Sequence, residues 1–236
     1  MSSRLAKAIA LIALVVGPLT LITTTIVQWL LQPTGSAPTV VDVAMQFPTA
    51  WLTIGLLSVL GPLVWLAGLP AVSALAPARG RLVTMMGALV TGAGLAAAIG
   101  HLALFFGLNA SIAAAALPAD ARHAMESAGD GETLGTVLLV LFLVCYSLGP
   151  IILTIGLRIA HRVGVWVPIA AVLTAGANLF GGPIAGVVQL VSLAALWGAV
   201  VVVVARDRGG RASSPSPDTT TGSGTGRVTA EHPAIS

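Results

Sequence analysis

Apolar runs long enough to cross a lipid bilayer make up most of this sequence. A transmembrane helix needs about 20 consecutive, mainly apolar residues to cover the hydrocarbon core. We find six such segments, over residues of about 8–31, 48–69, 82–108, 134–157, 165–180 and 183–205. They predict an all-α fold, a bundle of six transmembrane helices that forms one domain over residues 1–205.

The last two segments belong to one apolar block that is too long for a single span. This block runs from Val163 to Ala205 and is interrupted at Phe180-Gly181-Gly182-Pro183. Gly and Pro together favour a turn. The block is therefore predicted to form a helical hairpin, with a short fifth span before the turn and a sixth span after it.

The composition excludes a soluble globular domain. Only 8% of the residues are charged, against about 25% in a typical soluble domain, and the mean hydropathy is +0.99. Charge this scarce cannot cover a surface that faces water, which favours a membrane protein with the lipid bilayer as its main partner. The basic excess is small, 11 basic against 8 acidic residues, so no nucleic-acid partner is expected.

In this six-span topology, the charged residues divide between the two sides of the membrane. Cytoplasmic segments of membrane proteins are enriched in Lys and Arg. Ten of the eleven basic residues fall on one side: Arg4, Lys7, Arg79, Arg81, Arg158, Arg162, Arg206, Arg208, Arg211 and Arg227. Arg122 falls on the other side with the acidic residues Asp42, Asp120, Glu126, Asp130 and Glu132. Both termini are therefore predicted to be cytoplasmic, in the plasma (inner) membrane of a bacterium.

Signals at the ends of the spans agree with this threading. Arg4 and Lys7 precede the first apolar run, as in a signal peptide. That run exceeds the ~7–15 residues of a signal core, so we interpret it as an uncleaved span. Trp29 and Trp51 are predicted near the outer interface and Trp166 near the inner one, where amphipathic rings are enriched.

Two segments outside the spans are polar. Residues 206–236 are rich in Ser, Thr, Gly and Pro, a composition typical of disorder, and are predicted to form a disordered cytoplasmic tail. Its arginines could touch anionic lipid headgroups, although a role as topology anchors is favoured. On the outer side, Pro118 to Ala128 is predicted to be a short helix that Pro118 opens and Gly129 closes.

The short outer helix carries a spacing that could suit a metal ion. Asp120, His123 and Glu126 stand at positions i, i+3 and i+6. A solvated surface helix shows the same spacing by chance, and that interpretation is favoured. We therefore expect no metal site and no cofactor.

Small residues recur every four positions in the third span. Ala88, Gly92, Ala96 and Gly100 predict a helix-packing strip, because small residues let helix backbones approach closely in lipid. Their arc also contains His101, so this histidine is predicted to face another helix and not lipid.

Among the Asp, Glu, His, Lys and Arg side chains, His101 is the one that lies well inside a span. Such a residue is a functional-site hypothesis by default, and with Asn178 and Gln189 it could line one polar cavity. The competing interpretation is a neutral imidazole that bonds to a neighbouring helix, with Asn178 and Gln189 as interhelical hydrogen-bond pairs. We favour the second interpretation, because no other acid or base lies within a span to form a relay.

Three Gly-Pro pairs lie inside spans and predict helix kinks at Pro18, Pro62 and Pro150. Proline removes a backbone donor and clashes with the preceding turn. Interrupted helices near the bilayer midplane form binding sites in many transporters. Gly and Pro are also common in membrane helices generally, and the three pairs have no matched flanking sequences that would indicate an inverted repeat.

No enzyme class is indicated by the motifs. The sequence contains no phosphate-binding loop, no Gly-x-Ser-x-Gly and no His-Glu-x-x-His. The favoured hypothesis is a non-enzymatic membrane protein that acts through helix packing with lipids, a membrane-protein partner or a second copy of itself. The alternative is a small secondary transporter or permease with a polar cavity around His101, Asn178 and Gln189.

The stretch from Leu148 to Leu179 combines an apolar span ending in Gly-Leu, a short basic loop and a proline-led span. In this it resembles the six-helix integral membrane proteins of actinobacteria that are known as domains of unknown function. The resemblance implies a six-helix fold, inward termini and a membrane location. It implies no activity.

Overall fold

The computed structural model describes residues 3–31, 39–115, 117–180 and 182–207, and these residues are helical almost throughout. The described part contains nine helices. They are α1 (Ser3–Leu30), α2 (Val40–Gln46), α3 (Pro48–Leu66), α4 (Leu69–Ser73), α5 (Arg81–Ala114), α6 (Ala119–Asp130), α7 (Thr133–Ile159), α8 (Trp166–Phe180) and α9 (Gly182–Arg206). The tail predicted to be disordered lies, from residue 208 onward, outside the described residues.

Five helical segments are long and apolar enough to cross a membrane, which makes the chain a multi-pass membrane protein by length and composition. They are Arg4–Leu30, Pro48–Ser73, Arg81–Ala114, Thr133–Ile159 and Gly182–Arg206. The sixth apolar helix, α8, has 15 residues. It is therefore about 22 Å long at 1.5 Å per residue, shorter than the ~30 Å hydrocarbon core.

The six apolar helices pack as a closed ring. Around the ring the order is α3, α1, α9, α8, α7 and α5, and α5 packs back on α3. The buried core inside the ring includes Leu14, Trp65, Leu153 and Val200. Each interhelical seam therefore belongs to one pair of neighbours, and α7 and α8 separate the α5 side of the ring from α9.

The predicted hairpin is present. Helix α8 ends at Phe180 and α9 begins at Gly182, which has φ +87°. This left-handed conformation is one that glycine adopts without penalty. The two helices then pack against each other along their length.

Two differences from the predicted spans occur at the end of the bundle that carries α2 and α6. Helix α5 reaches Ala114, six residues beyond the predicted end at 108. Helix α2 was not predicted, and it is capped by Thr39, whose hydroxyl accepts from the Asp42 amide while the Asp42 carboxylate accepts from the Thr39 amide. This reciprocal capping box stabilises a short helix that has no long apolar run.

The packing strip predicted on α5 accounts for only part of its close contact with α7. Ala96 is exposed, and Gly92 faces the side chains of Leu66 and Leu69 at ordinary contact distance. The close approach to α7 is instead made by Gly87 and Gly94, which stand seven residues apart. Ala88 is buried and Gly100 meets Leu138 of α7, so only part of the strip lies on the seam.

Each of the three Gly-Pro pairs predicted to kink a span places its glycine against a neighbouring helix. A Cβ on Gly17 would lie 2.6 Å from Cγ of Trp65, and one on Gly61 would lie 2.8 Å from Cβ of Thr20. The pairs in α1 and α3 therefore lie on one shared seam. Pro18, Pro62 and Pro150 all lie inside continuous helices, and kinking at these prolines stays a prediction.

Candidate functional site

His101 faces α7, as expected, and its partner is a backbone carbonyl. Its Nδ1 lies 3.2 Å from the carbonyl oxygen of Gly135. A carbonyl only accepts, so the ring donates through Nδ1 and Nε2 is left without the proton in the neutral form. The ring also stacks on Phe105, with centroids 6.2 Å apart and planes at 24°. The half-buried histidine thus has a complete structural explanation as an interhelical contact.

The level of His101 in the bundle is fixed by the start of α7. The carboxylate of Glu132 accepts hydrogen bonds from the amides of Leu134, at 2.9 Å, and Gly135. Glu132 therefore caps the N-terminus of α7, where a negative charge is favourable. His101 bonds to the third residue of this helix, next to a solvent-exposed cap and away from the middle of the bundle.

Asn178 and Gln189 meet each other across the α8–α9 hairpin. Nε2 of Gln189 donates to Oδ1 of Asn178 at 3.1 Å. About one turn further along the hairpin, the hydroxyls of Thr174 and Ser192 are 2.8 Å apart, and both side chains are buried. The hairpin therefore contains two consecutive polar pairs. Thr174 was missed from the sequence, although it stands four residues before Asn178 on the same helix face.

The three residues considered as a possible polar cluster are divided between two seams. His101 lies on the α5–α7 seam, whereas Asn178 and Gln189 lie on the α8–α9 seam. No hydrogen bond joins His101 to either amide side chain, and α5 has no extensive packing against α8 or α9. The pairwise arrangement is the one expected of interhelical bonds.

Three aromatic rings form the centre of the core. Trp65 contacts Trp197 at 4.7 Å and Tyr146 at 6.1 Å between ring centroids, with near-perpendicular planes in both cases. This edge-to-face geometry is favourable for aromatic pairs. The indole nitrogens of both tryptophans and the Tyr146 hydroxyl have no hydrogen-bond partner in the part of the chain that the structure describes. These rings close the centre of the bundle to solvent, since each is at most 3% exposed.

Helix α6 contacts the start of α2 through polar side chains, at the end of the bundle where α7 begins. Nη1 of Arg122 lies 3.6 Å from Oδ1 of Asp42, and the Thr39 hydroxyl donates to Glu126 at 3.1 Å. Hydrogen bonds from Thr39 hold the pKa of Asp42 below its usual range, and the nearby Arg122 lowers it further. The pair also explains Arg122, the basic residue that falls on the acidic side of the threading.

The spacing of Asp120, His123 and Glu126 does not assemble a metal site. Nδ1 of His123 lies 3.4 Å from Glu126, and Glu126 is also engaged by Thr39. Within the described ranges, no three His, Cys, Asp or Glu side chains are grouped so that they could hold a metal ion. The predicted helix itself is present, but it ends at Asp130 and is closed by Gly131 in place of Gly129.

One predicted interfacial ring is wrong. Trp51 is buried, donates through Nε1 to the carbonyl of Phe106 at 3.2 Å, and packs on the rings of Phe105 and Phe106. It is an interior residue because the extended end of α5 and the unpredicted helix α2 cover it. Trp29 and Trp166 are exposed, as interfacial rings would be.

The opposite end of the bundle is basic. Lys7 donates to the carbonyl oxygens of Ala205 and Asp207 at the end of α9, and Arg162 lies 3.7 Å from the Asp207 carboxylate. The start of α5 reaches the same end, because Gly80 lies against Gly156 and Ala160 of α7. A groove of about 420 Å³ opens there, lined in part by Ser73, Arg81 and Met85.

Comparison with known proteins supplies no relative. No protein-family model matches this sequence, and neither a curated protein nor a solved structure matches it. The resemblance to actinobacterial six-helix proteins therefore stays an expectation, and the arrangement of residues carries the functional argument alone.

Proposed function

We propose that this protein is a non-enzymatic multi-pass membrane protein that acts through contacts of its apolar outer surface with lipids or with other membrane proteins. The observation that carries the proposal is that His101, Asn178 and Gln189 bond to a helix carbonyl or to each other and share no cavity among the described residues. Of the buried polar atoms without a partner in the described chain, those of Trp65, Tyr146 and Trp197 belong to rings that pack against one another. Two grooves open at opposite ends of the bundle, one beside Arg81 and the other beside Trp51. The chain thus offers extensive lateral surface and little internal chemistry.

Most hydroxyls inside the bundle bond within their own helix. Thr84, Thr91 and Thr154 are fully buried, and each donates to the carbonyl four residues earlier. Such bonds satisfy a hydroxyl without a ligand. Large apolar side chains point outward from the long helices, as lipid-facing residues do; examples are Leu19, Leu52, Leu89, Val140 and Val191.

The transporter alternative needs a shared polar cavity. The bonds from His101 to Gly135 and from Gln189 to Asn178 occupy the side chains that would line it. The aromatic core of Trp65, Tyr146 and Trp197 further fills the space between the helices. These contacts count against the alternative.

Flux through reconstituted vesicles tests this proposal directly. We expect proteoliposomes to dissipate an imposed pH gradient at the rate of protein-free liposomes, and to take up none of a broad panel of solutes. His101→Ala should leave both rates unchanged. A flux that requires the protein and is lost in His101→Ala would overturn the proposal in favour of a transporter.

We propose further that the chain crosses the plasma membrane six times, with both termini in the cytoplasm. Support comes from the basic end, which combines the start of α1, the α7–α8 connection and the end of α9. Helix α8 is short, but its hairpin with α9 supports a sixth crossing, in which the bilayer thins locally to match the helix.

Cysteine labelling tests the threading. In a Cys145→Ser background, Ser127→Cys and Phe180→Cys should react with a membrane-impermeant maleimide in intact cells. Ala78→Cys and Gly164→Cys should react only after lysis. If Phe180→Cys reacts only after lysis, as Ala78→Cys should, then α8 does not span the membrane. If the accessibility of all four sites is reversed, the termini are not cytoplasmic.

A further inference from the structure

The groove at the basic end has the size of a small-molecule site. It lies where α4 and the connection that follows it meet the first turn of α5, and its volume of about 420 Å³ falls within the roughly 300–1,000 Å³ of typical ligand pockets. Its wall is mixed in character. Ser73 and Arg81 supply polar groups, whereas Pro77 and Met85 supply apolar surface.

Positive charge dominates this end of the bundle. The described basic residues there are Arg4, Lys7, Arg79, Arg81, Arg158, Arg162 and Arg206, and the described acidic residue there is Asp207. Asp207 is already engaged by Arg162, and Lys7 binds the backbone beside it. In the described part of the chain, Arg81 makes no ion pair. Its guanidinium is therefore available to an anion from outside the protein.

An apolar strip leads from this groove along the outside of α5. Leu82, Met86 and Leu89 stand at positions i, i+4 and i+7 and are 67%, 51% and 64% exposed. Residues with this spacing share one helix face. The strip begins beside Arg81 and extends about 12 Å along the helix to Leu89. Leu89 also stands four residues after Met85 of the groove wall. The exposed apolar strip therefore adjoins the groove.

We propose that this groove binds the headgroup of an anionic phospholipid. The Arg81 guanidinium binds the phosphate through paired N–H donors, the geometry that suits arginine, and an acyl chain lies along Leu82, Met86 and Leu89. A soluble phosphate would use the charge but not the apolar strip, and a zwitterionic lipid would not match the excess of positive charge. The proposal names the lipid partner of the proposed function and rests on its membrane location.

Native mass spectrometry of the full chain released from nanodiscs tests the site. The nanodiscs contain phosphatidylglycerol and phosphatidylcholine in equal amounts. We expect the wild type to retain phosphatidylglycerol in excess, and Arg81→Gln to retain about fivefold less, the loss expected for one arginine at a membrane surface. Arg122→Gln, which removes an arginine at the opposite end, should retain as much as the wild type.

A second pair of variants separates lipid binding from folding. Arg81→Lys keeps the charge and should keep most of the bound lipid, whereas Ala78→Glu adds a negative charge to the groove wall and should release it. Equal retention by the wild type, Arg81→Gln and Ala78→Glu would overturn the proposal. Displacement of the lipid by millimolar inorganic phosphate would also overturn it and assign the groove to free phosphate.

These outcomes are independent of the proposed function. Specific lipid retention together with protein-dependent flux would refute the non-transporting role while leaving the lipid site intact. If the protein retains no specific lipid and produces no flux, the lipid site is refuted and the non-transporting role is not.

Discussion

Gly87 of α5 lies directly against the backbone of Leu153 in α7, so that a Cβ atom on Gly87 would overlap the Leu153 nitrogen. The same antiparallel seam continues in steps of about one turn. Thr84 meets Gly156, Thr91 meets Gly149, and Gly94 meets Tyr146. Close backbone approach at glycines strengthens dispersion contacts between helices in lipid, where no hydrophobic force drives association. The α5–α7 seam is thus the tightest element of the ring.

Gly87→Ala should destabilise the protein by roughly 1–3 kcal/mol, the cost of overpacking a closed interior. The added methyl group meets backbone atoms of Leu153, which cannot rotate away as the end of a flexible side chain can. Unfolding by SDS in mixed micelles, followed by circular dichroism, measures the change.

Gly107→Ala is the matched control on the same helix. A Cβ at Gly107 has no atom within 4 Å, so alanine should be neutral or stabilising by up to about 1 kcal/mol through its helix propensity. Equal changes in unfolding free energy for Gly87→Ala and Gly107→Ala would contradict the close contact of Gly87 with α7.

The Asn178–Gln189 bond should contribute a small, measurable coupling. A double-mutant cycle with Asn178→Ala and Gln189→Ala should give a coupling energy of about 0.6 kcal/mol, the average for hydrogen bonds between membrane helices. A cycle that pairs Asn178→Ala with Thr91→Ala, on a different seam, should give none. Coupling between His101→Ala and Gln189→Ala above that background would contradict the separation of the two seams.

The α2–α6 contact should weaken in acid. The folded pKa of Asp42 lies below its usual value, so its stabilisation is present above the unfolded pKa of ~3.9 and is lost as the pH falls through the folded value. Asp42→Asn should lower the unfolding free energy at neutral pH by less than about 1 kcal/mol, because the pair is partly exposed.

Thermal unfolding of the wild type and Asp42→Asn across a pH series checks this dependence. The difference between the two proteins should be constant near neutral pH and should shrink below about pH 4. A difference that persists unchanged in strong acid would show that the Asp42 charge is not its source.

His161→Gly should stabilise the protein. His161 follows the end of α7 with φ 55°, and the amide of Arg162 donates to the Leu157 carbonyl, the pattern of a glycine-type helix stop. Relief of left-handed strain, less the added flexibility of glycine, is worth roughly 0.5–1 kcal/mol.

Ala160→Gly provides the comparison at the adjacent position. Ala160 has φ −75°, so glycine brings only flexibility there and should destabilise by up to about 1 kcal/mol. The same unfolding assay in mixed micelles reports both variants, and a loss of stability in His161→Gly would refute the argument.

The positions of the apolar helices could be predicted from the sequence, because the length of an apolar run and the Gly and Pro residues of a turn are local features of the chain. The turn at Gly182 follows from its Gly-Pro context, and Asn178 and Gln189 lie on either side of it, four residues before and seven residues after. The packing strip could not be predicted in the same way. A repeat of small residues states which face permits close approach, but the partner helix decides which of these residues are used, and α7 selects Gly87 and Gly94.

The hydrogen-bond partner of His101 could not be predicted from the sequence for a different reason. It is the carbonyl of Gly135, and every residue has a carbonyl, so no pattern of side chains marks it. Burial of Trp51 was missed because it depends on α2, a helix of seven residues whose formation rests on the Thr39–Asp42 cap.

The bond from Lys7 to the carbonyls of Ala205 and Asp207 joins residues that the ribosome makes about 200 positions apart. Helix α1 can pair with α3 early, but its other flank has no neighbour until α9 is synthesised. Throughout translation that flank is open to the translocon, to lipid or to a chaperone. Helix α9, the last that the structure describes, is therefore the one that completes the enclosure of α1.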